Sequence, residues 1–343
     1  MSTGTLPQPS IAQLLAVPSP QCDKRWLRRC LQIAVQLELS TIPPYLYAYW
    51  SVEDPAAELA DALLGIAWQE MLHMGLACNL LTAAGGTPQL TGELGGVPVA
   101  PRYPTALPGG VQPGLVIALK GVSATVEDPE DVLRVFMDIE EPEHKVTPHA
   151  RGATIGQFYA RIAAELPRIA ETEGFGGGCQ VALKIGGDEL TPVEDVKAGL
   201  AAIKLICEQG EGTGQSPNGG TDPAERAHYY RFAEHWKGRR LLQREGEQVW
   251  DFTGEAIPRP AVLPLAQVPE GGWPSPPENL VEALADCNTA YRAVLASLQA
   301  QWSGSDGVSS PDVQGDVMRR LTVAARRLLK LQPTPVYGPE FLA

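Results

Sequence analysis

Nowhere in the 343 residues do two cysteines stand at the C-x-x-C spacing that clamps a zinc ion or forms a redox pair. The six that occur, Cys22, Cys30, Cys78, Cys179, Cys207 and Cys287, are scattered, most of them within apolar helical runs. They read as reduced core residues, and no disulfide framework is implied. No apolar run approaches the roughly 18 residues of a membrane span, and the opening MSTGTLPQPS lacks the basic-then-apolar order of a secretory leader. The expected setting is the cytoplasm. Positive charge is scarce too: 27 Lys and Arg against 40 Asp and Glu leave a formal net charge of -13. That balance argues against nucleic acid or an anionic membrane as the partner.

What is present is a globular composition, 44% hydrophobic and 20% charged, with 31 Pro and 35 Gly. So much proline and glycine calls for long ordered loops between regular elements. Helical apolar spacing runs from about 21 to 50 (Trp26, Cys30, Ile33, Ala34, Leu37), until Pro43-Pro44 is expected to kink or end the helix. A second, largely buried helix opens at Asp54-Pro55 and closes on Gly85-Gly86. GLVIALKGV reads as a strand, a short helix spans 129–141, and another begins at Thr154 with Gln157 as its capping partner and breaks at Pro167. Helices are predicted over 191–212 and 222–241, with two amphipathic helices, about 277–302 and 311–331, after an irregular proline-rich segment. No internal repeat and no clean domain boundary is visible.

The chemistry concentrates in one recurrent pattern. WQEMLHM places Glu70 and His73 one helical turn apart, and DPAERAHYYRF repeats the spacing with Glu225 and His228. The first helix offers Glu38 beside the Leu37 stripe, and the third offers Glu211, one turn after Cys207. In chain order this is Glu, Glu-x-x-His, Glu, Glu-x-x-His, the ligand set of a di-iron or dimanganese carboxylate centre inside a four-helix bundle. Carboxylates neutralise two divalent ions while each imidazole adds a nitrogen donor, and burial of unpaired acids on apolar faces needs such a reason.

Each position has a plainer reading. Glu225 follows Asp222-Pro223 and fits a capping acid, Glu38 fits an ion pair with Arg28, and Glu211 fits a loop acid. Glu140 and Glu165 compete with Glu211 for the third-helix position and rank below it, because Pro142 and Pro167 truncate their helices. His144 and His149 sit among prolines, where an exposed position is expected and a haem ligand is the alternative, and His235 lies two turns beyond His228 as a supporting residue. The aromatic cluster that includes Tyr45, Trp68 and Tyr229 reads as bundle lining or as the wall of an aromatic substrate pocket.

ELSTIPPYLYAYWS, WQEMLHMGLACNLLTAAGGTP, FMDIEEPE, TIGQFYARI, AIKLICEQGEGT and ERAHYYRF, in this order, resemble the ferritin-like domain of iminophenyl-pyruvate dimer synthases. That family includes the violacein-pathway imine-coupling enzyme and chromopyrrolate synthases, and CNTAYRAVLASL and YGPEF extend the resemblance to the C-terminus. It implies a mainly α, ferritin-like four-helix bundle with long loop insertions, a little β structure and extra C-terminal helices. One domain is then expected over 1–343, its bundle core at about 21–86 and 191–242, with insertions at 87–190 and a helical extension at 245–343.

The expected function is a metal-dependent oxidase or oxygenase acting on an amino-acid-derived imine or aromatic molecule in specialised metabolism. Two iron ions would be held by Glu38, Glu70, His73, Glu211, Glu225 and His228, with Tyr45, Trp68 and Tyr229 near the substrate and O2 or H2O2 as co-reactant. The alternatives are a metal-binding protein without organic substrate (storage, or a dimanganese catalase) and a haem-dependent relative of chromopyrrolate synthase. A homo-oligomer is compatible with either.

Overall fold

The computed structural model describes residues 8–142, 153–212, 216–219, 225–244, 249–304 and 311–343, with the backbone alone for Glu211 and for 311–314. It is mainly helical. A short helix α1 (Ile11–Leu15), closed by a Ser10–Gln13 capping box, leads into α2 (Lys24–Ser51), whose first turn is capped by the Asp23 carboxylate on the Trp26 N–H. α2 and α3 (Glu58–Ala83) form a long antiparallel hairpin. From Ile33 to Val52 every residue of the chain is buried, so α2 is covered on all sides and runs through the centre of the molecule.

Pro43 and Pro44 do not end α2. Pro44 has no N–H to offer the Ser40 carbonyl one turn back, and the Tyr103 hydroxyl donates to that carbonyl instead, at 2.8 Å. The expected stop is overridden because a loop residue supplies the missing hydrogen bond.

One side of the hairpin is covered by two helix pairs. α4 (Val132–Ile139) packs with α7 (His228–Lys237), and α5 (Ile155–Glu173) packs with α6 (Val196–Glu211). α5 continues past Pro167, which lies on its exposed face, where water can reach the carbonyl the proline leaves unbonded. α7 starts six residues later than the predicted 222. Residues 225–227 are instead held by ladder-like bonds to 217–219, including Ala227 N–H to the Pro217 carbonyl at 2.9 Å and Gly219 N–H to the Glu225 carbonyl at 2.9 Å.

The other side of the hairpin is covered by α8 (Glu278–Trp302) and α9 (Pro311–Lys330). The Trp302 indole donates to Asn79 of α3 at 2.9 Å, and Phe341 of the C-terminal tail stacks on Trp50 with ring centroids 5.8 Å apart. β structure among the described residues consists of two-stranded ladders of two or three residues per strand and a few isolated bridges. The predicted strand GLVIALKGV shrinks to Val116–Ile117, paired with Thr105–Ala106. Its alternation is real, since Leu115, Ile117 and Leu119 are buried and Val116 is exposed, but only two residues find a ladder partner. No described helix is long and apolar enough to cross a membrane.

Candidate metal centre

Five side chains meet between the hairpin and the α4–α7 pair. Glu38 comes from the middle of α2, Glu70 and His73 from one face of α3, Glu140 from the C-cap of α4 and His228 from the first residue of α7. All five are buried, from fully enclosed His228 to Glu140 at 7% exposure. They form two overlapping groups that could hold a metal ion, Glu38–Glu70–His73 and Glu70–Glu140–His228, each with its ligand atoms within 4.8 Å of one another. Glu70 belongs to both.

The histidines are set the same way. His73 turns Nδ1 toward Glu38 (3.8 Å) and Glu70 (3.7 Å) and places Nε2 2.8 Å from the Gln209 side-chain oxygen. His228 turns Nδ1 toward Glu70 (2.9 Å) and Glu140 (3.7 Å) and places Nε2 3.1 Å from the Gln69 side-chain oxygen. A glutamine oxygen only accepts, so each Nε2 carries a proton, and on His73, which burial holds neutral, Nδ1 presents a lone pair to the acids. His228 Nδ1 is fully buried and, despite its proximity to Glu70, has no hydrogen-bond partner of acceptable geometry. The rings lie 5.5 Å apart, centroid to centroid.

The carboxylates are held from behind. The Tyr159 hydroxyl donates to Glu38 at 2.5 Å, Thr41 to Glu70 at 2.8 Å and Tyr45 to Glu140 at 2.7 Å. Gly210 of α6 leaves room for the last of these acids, because a Cβ there would sit 3.1 Å from a Glu140 oxygen.

The electrostatics are unbalanced. Burial, then the charge of Glu70, pushes the Glu38 carboxyl well above the ordinary carboxylate range, and burial and Glu140 raise Glu70. Burial and the nearby His228 push His73 down to about 3. Burial also works against a charged His228, but the neighbouring Glu140 and Glu70 carboxylates outweigh it and lift that imidazole to about 9. Among the described residues no lysine or arginine pairs with Glu38, Glu70 or Glu140. Three buried acids and two inward-facing Nδ1 atoms, that of His228 without a hydrogen-bond partner, fit divalent cations. The cavity between them is about 30 Å³, room for ions or waters but not for an organic molecule.

The structure therefore brings Glu38, Glu70, His73 and His228 together and adds Glu140. Glu225 stays outside. The chain is still extended at 225–227, so Glu225 and His228 do not share a helical face; Glu225 is half-exposed and accepts from Gln69 Nε2 at 2.9 Å. It touches the cluster only through the glutamine that orients His228. The Glu211 side chain lies outside the described residues, as do His144 and His149. Glu165 is remote, paired with Arg161 (3.1 Å) and Arg168 (2.9 Å).

The three aromatic candidates do not line a common cavity. Tyr45 holds Glu140, Tyr229 packs edge-on against Tyr230, and Trp68 lies on the opposite face of α3, 41% exposed. Gln69 and Gln209 gave no signal in the sequence, since buried glutamines that orient a ring have no spacing of their own.

A family model described as Ferritin-like matches residues 31–236, a span that contains all five converging side chains. The crystal structure of a ferritin-like protein from Caulobacter vibrioides at 1.95 Å resolution is similar in fold, with a TM-score of 0.62. The likeness covers 91% of this chain and 97% of that one at 22% identity. No curated protein matches the sequence.

Proposed function

This chain belongs to the ferritin-like family, and on that premise we propose that Glu38, Glu70, His73, Glu140 and His228 hold two iron ions used to oxidise a small molecule with O2 or peroxide. The observation that carries this reading is the sharing of Glu70 by two carboxylate–histidine groups whose imidazoles both turn Nδ1 inward and anchor Nε2 on a glutamine. Bound iron supplies the change of oxidation state that no side chain in the cluster provides.

The protein's own contribution is placement. Gln209 and Gln69 fix the tautomer and tilt of the two rings, an outer set of contacts that metal-binding histidines regularly need. Thr41, Tyr45 and Tyr159 each occupy one carboxylate oxygen and leave the other free to turn toward the cavity. The Tyr159 hydroxyl donates to Glu38 Oε1, a contact that favours the ionised form of that acid against its burial. Burial keeps bulk water from the cluster.

The substrate class comes from the family resemblance of the sequence segments, which supports an amino-acid-derived imine or aromatic molecule. Metal analysis with a visible spectrum tests the centre. About two irons per chain without a Soret band is the expected result, whereas a Soret band would establish a haem enzyme. Manganese together with O2 release from added peroxide would establish a catalase, and a chain that takes up no metal would remove the proposal.

A further inference from the structure

A second cavity lies on the far side of the α2–α3 hairpin, and it differs from the first in size and character. Its volume is about 480 Å³. α2 turns Leu39, Ile42 and Leu46 toward it and α3 turns Trp68, Met71 and Met74, whereas Glu38, Glu70 and His73 leave the same helices in the opposite direction. α8, α9 and the C-terminal tail close the other side. The volume falls in the range of sites that enclose small organic molecules.

Two polar groups in this apolar chamber ask for a ligand. Tyr291 of α8 lines it at 4% exposure, and its hydroxyl is fully buried with no hydrogen-bond partner. A buried hydroxyl left unmade is costly, and its neighbour Phe341, edge-on at 5.1 Å, offers it only a ring. Arg326 of α9 lines the same chamber. It donates to the Tyr49 hydroxyl at 3.3 Å and faces no carboxylate among the described residues, in a chain whose formal charge is -13. The other cations there are already paired, Arg319 with Asp316 and Lys184 with Glu189.

We propose that this chamber is a binding site, separate from the metal cluster, for an aliphatic carboxylate that carries an oxygen function on its apolar body. The chain lies along the leucine and methionine walls, which accept flexible apolar groups readily. Arg326 takes the carboxylate and Tyr291 donates to the second oxygen.

Calorimetric titration of the intact protein with 12-hydroxydodecanoate, dodecanoate and dodecanol tests this. One saturable equivalent is expected, with the hydroxy acid binding more tightly than the plain acid. Arg326→Gln, on an exposed side chain, should weaken both acids by about tenfold and leave the alcohol unchanged. Tyr291→Phe should erase the preference for the hydroxy acid, and Leu46→Trp should block all three ligands. Glu70→Ala should bind them normally, which separates this site from the metal proposal. Non-saturable uptake, indifference to Arg326→Gln, or a dimer that covers the chamber and excludes every probe would overturn the inference.

Discussion

His228 and His235 stand two turns apart on α7, both buried, in surroundings of opposite sign. Around His228 lie Glu70 and Glu140, which lift its pKa to about 9. Around His235 lie Arg240, Arg259 and Arg231, which add to burial and hold it down at about 3. The difference lies in what completes each set. The arginines near His235 have resident partners: Arg240 pairs with Glu234 at 3.1 Å and with Glu58, and Arg259 pairs with Asp131. That network is closed by side chains of the protein. The acids near His228 have no lysine or arginine partner among the described residues, and the negative charge of three buried acids, which one imidazole does not balance, is what an external cation would complete.

The largest expected break is Glu70→Ala. Because Glu70 belongs to both groups, its loss should remove both metal ions and lower turnover by at least about 100-fold, read by elemental analysis and oxygen or peroxide consumption. Glu140→Ala should remove one ion, while Glu165→Ala, whose acid serves two arginines, should remove none.

Breaking the closed network should act on stability and not on metal. Asp131→Ala leaves Arg259 largely buried without its partner, and a loss of about 3–5 kcal/mol is expected in urea unfolding, with metal content intact. Gln209→Leu and Gln69→Leu should weaken metal affinity by about 10–100-fold while the fold persists, as competition with a chelator would show. Equal affinity in these variants would mean that the glutamines do not orient the rings.

The last effect is confined to acid pH and is carried by one proton. His235 binds it with a pKa near 6.5 when unfolded and about 3 when folded, so the unfolded chain is protonated first as pH falls. Folding stability then drops between pH 6.5 and 3 with a slope approaching about 1.4 kcal/mol per pH unit from this group alone. His235→Phe should flatten the acid limb of the stability curve by that one proton and change nothing above pH 7.

Much of the helical frame can be read from apolar periodicity, because α2, α3, α6, α8 and α9 are long enough to carry it. The proximity of Glu38, Glu70 and His73 follows from helical spacing on two adjacent helices. Glu140 does not follow, since Pro142 reads as a truncation; yet the end of α4 is where the chain reaches the cluster, and Tyr45 on α2 waits there to bind the acid. Glu225 misleads for the converse reason. Three residues make a helical pair only if the helix has begun, and ladder bonds to 217–219 keep the chain extended until His228. The course of α2 through two prolines depends on Tyr103, a residue far away in sequence whose role only tertiary structure reveals.

The order of the converging residues along the chain, 38, 70, 73, 140 and 228, has a consequence for assembly. Two ions that share Glu70 would together close several long loops at once, as a set of cross-links does, and such closures lower the entropy of the unfolded chain. Loading should then tie the α4–α7 pair to the hairpin, and amide exchange in α4 and α7 should slow on metal addition more than in α8 and α9. The same five residues would make the fold hold its metal and the metal hold its fold.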